Sequence, residues 1–212
     1  VPDPANKPPG LYEPCEWKDN NGNFWLFGGI NNFFEEYSAL WKFDPAINQW
    51  TWMKGPSAVK QLGVYGTQGV SSPANYPGAR VFGAITWVDG SGNLWFFGGK
   101  GYDAFGGGGA FDNLCDLWKY DISTNEWTWM KGPNTVNNPG SYGTKGVASP
   151  ANLPPSRHET SCSWTDNAGH LWLYGGYNST SNPLGDLWKY DISTNNWTWM
   201  HGANVSNAPA VY

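Results

Sequence analysis

Three histidines, three cysteines, seventeen acidic and twelve basic residues are the raw material for chemistry in this 212-residue chain. None of them falls into a spacing that performs it. His158, His170 and His201 lie in different local segments, and no HExxH, CxxC or GxSxG motif surrounds them. Glu35 and Glu36 are adjacent, and adjacent side chains on extended backbone point to opposite faces. That is poor geometry for a general acid and base acting on one bond, so both are expected to be solvated. DNNGN at 19–23, DGSGN at 89–93 and DNAGH at 166–170 are oxygen-rich like a calcium loop. They lack the bidentate glutamate that an EF-hand needs at its twelfth position, and are expected to be hairpin turns. Cys15 and Cys162 read as small buried apolar residues, and Cys115 lies in a loop. An odd, small cysteine count argues against a disulfide framework. No catalytic residue, metal or cofactor is expected.

Composition narrows the partners. Lys+Arg 12 against Asp+Glu 17 gives a net charge of −5, and only 14% of residues are charged. This excludes a generic basic nucleic-acid binder and argues against attraction to anionic lipid. No apolar run approaches the roughly 18 residues of a membrane span. Aromatics reach 17%, too many for a disordered chain, while Gly 28 and Pro 16 mark it as turn-rich.

The elements that would position any site are repeated three times. NFWLFGG at 23–29 recurs as NLWFFGG at 93–99 and HLWLYGG at 170–176. LWKFDPAINQWTWMKG begins at Leu40, LWKYDISTNEWTWMKG at Leu117 and LWKYDISTNNWTWMHG at Leu187. Gly29 to Leu40 and Gly176 to Leu187 are each 11 positions, but Gly99 to Leu117 is 18, so the middle unit carries a seven-residue insertion. GTQGVSSPANYPGAR ends at Arg80 and GTKGVASPANLPPSR at Arg157, matching at 10 of 15 positions. All 15 tryptophans fall at five positions per unit, which points to a packing device rather than a sugar-binding cleft. Residues 1–6 align with 147–152 and residues 209–212 with 139–142, so the chain reads as a window cut from a tandem array.

Each unit holds four short strands bounded by turn residues, and no window shows a helical period. In the third unit strand a is expected over 159–165, b over 171–174, c over 187–191 and d over 197–200. Strand b is apolar on consecutive positions, as a strand buried on both faces should be. Strand d alternates Trp-Thr-Trp, which suits a half-exposed outer strand. The expected division is 1–55 blade 1, 56–132 linker plus blade 2, 133–202 linker plus blade 3, and 203–212 the start of a next linker.

LWLYGG, DLWKYD and STNNWTWM, recurring in order, resemble Kelch repeats, of the type also found in the central domain of galactose-oxidase-like proteins. The resemblance implies an all-β propeller of four-stranded antiparallel blades, three of them in this chain. Three blades do not readily close a ring where four to eight are usual, so the rest is expected from further polypeptide or from a second copy, three plus three. Kelch repeats often carry a basic residue where Arg80 and Arg157 stand, with a role in packing between blades; a shared anion site is the other reading. A galactose-oxidase-like copper site needs Tyr, His and Cys–Tyr pieces that nothing here matches, so that activity does not carry over.

In such a blade the b–c loops and d–a linkers emerge at one end and tight turns at the other. The expected binding face therefore carries residues 31–38, 100–115 and 177–185 and the linkers 55–80 and 132–157. Contacts are expected from Tyr102, Asp103, Phe105, Phe111 and Asp112 in the inserted loop, from Phe33 and Phe34, and from Tyr177. Sequons stand at Asn178, Asn196 and Asn204. Low charge and abundant Asn, Gly and Thr lean towards a secreted or cell-surface protein. Three functions fit: a non-enzymatic module binding protein or glycan; a structural subunit assembling with further copies of itself; and part of a carbohydrate-acting or oxidase enzyme whose catalytic groups lie elsewhere. No nucleic-acid partner and no membrane insertion are expected.

Overall fold

The computed structural model describes residues 2–106, 111–159 and 162–212. Blade 1 is a four-stranded antiparallel sheet of β1 (Cys15–Lys18), β2 (Phe24–Phe27), β3 (Leu40–Asp44) and β4 (Gln49–Lys54), in that order. After β5 (Arg80–Val81), blade 2 is built from β6 (Ile85–Val88), β7 (Leu94–Phe97), β10 (Leu117–Asp121) and β11 (Glu126–Lys131). Blade 3 comprises β12 (Cys162–Thr165), β13 (Leu171–Tyr174), β14 (Leu187–Asp191) and β15 (Asn196–His201). No helix in the described residues is long and apolar enough to cross a membrane. The fold is all-β, with three propeller-type blades.

The tryptophan positions are explained by strand register. Trp17 faces Trp25, Trp87 faces Trp95 and Trp164 faces Trp172 across the two inner strands. Trp41 faces Trp52, Trp118 faces Trp129 and Trp188 faces Trp199 across the two outer ones. The fifth tryptophan lies opposite an aromatic of strand c: Trp50 opposite Phe43, Trp127 opposite Tyr120, Trp197 opposite Tyr190. Directly opposed aromatic pairs stabilise a sheet by roughly 0.2–1 kcal/mol each.

The blades stack through those rings. Cys15, Trp17, Trp25, Phe27 and Leu40 of blade 1 bury against Leu94, Phe96, Trp118, Tyr120 and Trp127 of blade 2. The equivalent positions of blade 2 (Ile85, Trp87, Trp95, Phe97, Leu117) bury against the equivalent positions of blade 3. Each stack is pinned by one indole: Trp17 Nε1 donates to the Trp95 carbonyl and Trp87 Nε1 to the Trp172 carbonyl, both at 2.9 Å. Strand β7, in the middle blade, is buried along its whole length, whereas β2 and β13 each leave a residue exposed. Burial of strand b on both faces thus holds only where a blade has a neighbour on each side.

Three expectations are revised. Strand a of the third unit starts at Cys162, not at residue 159. Glu159 stands at φ 46°, a left-handed conformation that interrupts extended backbone, and residues 160–161 lie outside the described residues. The outer strand is not alternately exposed: Thr128 and Thr198 are buried with Trp127 and Trp197. The reason is the preceding linker, which lies along that strand. Ser72 bridges to Trp127 and Ser149 to Trp197, and Asn75 and Asn152 donate their side-chain amides to the same two carbonyls at 3.2 and 3.0 Å. Asn6 does likewise to Trp50 at 3.3 Å. The recurring Pro-Ala-Asn is therefore an edge cover for the outermost strand. Third, the inserted segment of the middle unit is partly a hairpin. Strand β8 (Lys100–Tyr102) pairs with β9 (Phe111–Asn113) on one side and with β5 on the other, in a separate three-stranded sheet. The cross-strand pair Tyr102–Phe111, rings 4.9 Å apart, holds it.

Candidate functional site

Beneath the long-loop end lies a buried junction that occurs twice. Arg80 reaches Asp116 in a fork, Nη1 to Oδ1 at 2.9 Å and Nη2 to Oδ2 at 2.8 Å, and donates also to the Gly98 carbonyl. Arg157 makes the same fork on Asp186 at the same distances and donates to the Gly175 carbonyl. Each carboxylate accepts two more bonds: Asp116 from Tyr65 Oη and Trp118 Nε1, Asp186 from Tyr142 Oη and Trp188 Nε1. All four ionised side chains are fully buried. Burial works against the Arg80 charge, but Asp116 and Tyr65 together outweigh it and hold the guanidinium above its ordinary value. For Asp186, Arg157 and the two donors outweigh burial and hold the carboxyl below its ordinary value. Both guanidinium forks are buried on internal carboxylates, an arrangement suited to packing between blades rather than to holding an external anion. The Arg carbonyls serve too: Gly29 N–H donates to Arg80 and Gly99 N–H to Arg157, both at 2.8 Å. Gly28 stands at φ 74°, and a Cβ there would collide with the Arg80 carbonyl, which explains the first glycine of the Gly-Gly pair.

At the opposite end, the calcium-like sequences are turns. Asp19 accepts from the Asn21 and Asn23 N–H groups, the Asn23 side chain and Trp25 Nε1. Asp89 and Asp166 do the same with Trp95 and Trp172. Four donors on one carboxylate leave no vacancy for a cation, and no group of three or more metal-ligating side chains exists among the described residues. Burial raises the Cys15 and Cys115 thiols to about 12, which keeps both as thiols. Cys162 is only half-buried, because its face of blade 3 has no blade against it. The expectation that both Glu35 and Glu36 are solvated is corrected. Glu35 is half-buried and accepts from Asn31 Nδ2, and Glu36 is buried, with Oε2 3.9 Å from Lys60 Nζ, where the linker crosses over it and bonds its backbone.

The long-loop end itself is where the units differ. Residues 31–37 and 178–184 fold alike. Asn31 Oδ1 accepts from the Phe33 and Glu35 N–H groups, and Asn178 Oδ1 from the Thr180 and Asn182 N–H groups. The fourth residue of each loop is left-handed, Phe34 at φ 57° and Ser181 at φ 56°. One backbone thus carries Phe33 and Phe34 in the first unit and Thr180 and Ser181 in the third. Phe33 is 81% exposed and Phe34 67%.

The other sequence-derived residues divide. Phe105 and Tyr177 are exposed, and Tyr177 lies 6.0 Å from the His158 ring. Tyr102 and Phe111 are half-buried against each other. Asp103 is buried and accepts from the Phe105 and Gly106 N–H groups, so it shapes the loop. Asp112 accepts from Asn137. Residues 107–110 of the inserted loop lie outside the described residues. Of the sequons, Asn204 is exposed, Asn178 is spent on its turn, and Asn196 starts β15 with Thr198 buried. Sequence reasoning missed Asp116 and Asp186; the signal was the Asp before Leu-Trp in units two and three, absent with the Arg from unit one, where Leu11 and Ala39 stand.

Comparison with protein families matches residues 168–198 to the Kelch motif. These residues hold b, c and the first half of d of the third blade, the pattern the other two units repeat. The match is to the third unit alone, and the strand order and register of the other two units are the same. No curated protein matches it by sequence. Among solved structures, one titled "Structure of YjhT" superposes with a TM-score of 0.52 at 16% identity, over 90% of this chain and 52% of that one. That likeness speaks for the fold, and this chain spans about half the length of that one.

Proposed function

We propose that this chain is a non-enzymatic, exported Kelch-type binding or scaffold module that engages a protein or glycan through its long-loop face. The observation that carries the reading is the Phe33–Phe34 tip. Two large apolar rings stand in solvent on a backbone that the third unit builds with Thr180 and Ser181. A bulky residue held at positive φ costs of order 1 kcal/mol or more, and exposed aromatics mark recognition surfaces. Phe105 and Tyr177 on the same end extend the choice of contacts. The non-enzymatic part is supported by the Arg–Asp pairs, which are tied to internal partners, and export by the low charge and the exposed sequon at Asn204.

The test compares the wild-type chain with Phe33→Thr/Phe34→Ser, which grafts the third unit's residues onto the first. Both are run through affinity gels containing defined neutral polysaccharides and cross-linked to proteins of the native source. Retardation or cross-linking by the wild type that the variant loses supports the assignment, and the assay that responds tells glycan from protein. Equal behaviour of the two chains in both assays sinks it.

A further inference from the structure

The outward faces at the two ends of the blade stack are each other's complement. Towards its next neighbour every blade turns one set of five positions, and towards its previous neighbour another. Where the first set is covered, Trp17 is 6% and Trp87 4% exposed; on blade 3 the equivalent Trp164 is 51% exposed. Where the second set is covered, Leu94 and Leu171 are fully buried; on blade 1 the equivalent Phe24 is 46% exposed. Polar groups are left in the same way. Trp17 and Trp87 each donate to the carbonyl of the strand-b tryptophan of the next blade. Trp164 is the next indole in that series, and Trp25 offers the carbonyl equivalent to those of Trp95 and Trp172. Gly29 and Gly99 donate to an arginine carbonyl of the following unit, and Gly176 stands third in that series.

We propose that these faces are covered by a second copy of the chain. Blade 3 of each copy seats on blade 1 of the other, closing a ring of three plus three blades. Trp164 Nε1 then donates to the carbonyl of Trp25 of the partner subunit, and Gly176 N–H to that of Leu11 of the partner subunit, which stands at the position of Arg80 and Arg157. A second copy is the occupant because each face finds its match in this very sequence, and because the new contact continues the internal interface. Only one blade surface and its opposite are involved, and both are present on every copy. The chain spans about half of a solved structure that shares its fold, so two copies supply a comparable number of strands. Tyr212 follows the register of Tyr65 and Tyr142, whose rings lie about 5 Å from Trp118 and Trp129 and from Trp188 and Trp199. It is the matching ring for Trp52, which is exposed on blade 1.

The experiment is light scattering of the 212-residue chain across a concentration series, with two single variants, Trp164→Glu and Phe24→Lys. The expected mass is twice 23.4 kDa for the wild type and the monomer mass for each variant. Each variant spoils both contacts of a symmetric ring, but a mixture of the two keeps one native contact per pair, so mixing restores a dimer. That restoration also shows that the variants are folded. Should Trp164→Glu fail to fold by circular dichroism, Trp164→Phe, which keeps a ring and removes the indole N–H, is expected to weaken dimerisation at least fivefold. A monomeric wild type at every concentration, open-ended growth in mass, or a dimer indifferent to both substitutions overturns the proposal. The outcome is separate from ligand binding, since Phe33 and Phe34 belong to neither face.

Discussion

The junctions between blades and the long-loop face share one chain and obey different rules. At the junctions the same side chains recur at the same distances: Arg80 on Asp116 and Arg157 on Asp186 agree bond for bond. On the loop face the same backbone recurs with different side chains, Phe33 and Phe34 against Thr180 and Ser181. Repetition of side chains marks what every copy of the unit needs, which is stacking. Repetition of backbone with free choice of side chain marks a platform whose tips answer to something outside the fold. Substitutions at a junction should therefore move stability, and substitutions at the tip should not.

The largest effect is expected from orphaning a buried charge. Asp116→Ala leaves Arg80 fully buried without its carboxylate, and removal of one partner of such a pair costs about 3–5 kcal/mol. Tyr65 and Trp118 lose their acceptor too. The first unit shows how the same place is built without charge, with Leu11 and Ala39 at the equivalent positions. Arg80→Leu/Asp116→Ala copies that solution and is expected to recover about 2 kcal/mol or more of the loss in urea unfolding. If the double variant is less stable than the single one, the pair is worth more than its hydrophobic replacement and unit one is a poor guide to the others.

Acid sharpens the same contrast. The folded Asp186 carboxyl lies below its ordinary value, whereas in the unfolded chain it titrates near 3.9. A depressed carboxyl stabilises the fold fully above its unfolded value and loses that contribution as pH falls towards the folded one. The stability of wild type relative to Arg157→Leu/Asp186→Ala is thus expected to be flat from pH 7 to pH 5 and to fall below about pH 4. A difference that stays constant down to pH 2 would falsify the charged state of this junction. Tyr142→Phe should cost less, about 1 kcal/mol, the worth of one hydrogen bond; the ring keeps its contacts with Trp188 and Trp199.

Much of this architecture could be read from the residues, for a physical reason. Strands and turns are local, so the periodicity of Trp, Gly-Gly and Asx turns located b and c of the third unit to the residue. What could not be read depends on contacts between segments far apart in the chain. Arg80 pairs with a carboxylate 36 positions away, and only the joint absence of Arg and Asp from unit one hinted at it. The Pro-Ala-Asn repeat was visible, but its partner carbonyl at Trp127 lies 52 residues on. Glu36 looked like a surface charge because its cover comes from the linker around Lys60. The β8–β9 hairpin hid in a glycine-rich insertion whose aromatic pair, Tyr102 and Phe111, sits nine positions apart in sequence. The candidate tip was legible as unusual composition, yet the shared backbone that makes Phe33 and Phe34 a departure from the third unit emerged only with the dihedral angles.

The smallest stability effect is expected at that tip, and its smallness is the point. Phe33→Thr/Phe34→Ser removes two rings that are mostly in water, so little buried apolar area is lost. The turn is held by Asn31 through backbone N–H groups, which the substitutions leave untouched. At φ 57° serine is under less steric strain than phenylalanine, and the third unit shows Ser181 in that conformation. Surface substitutions of this kind fall within about 0.5 kcal/mol of zero, and relief of strain favours the stabilising side. A measured loss of more than about 1 kcal/mol in urea unfolding would mean that the rings pack on their own blade, and the contrast between junction and tip would collapse. No loss of stability, together with loss of partner binding, leaves recognition as the reason two phenylalanines stand where serine and threonine suffice.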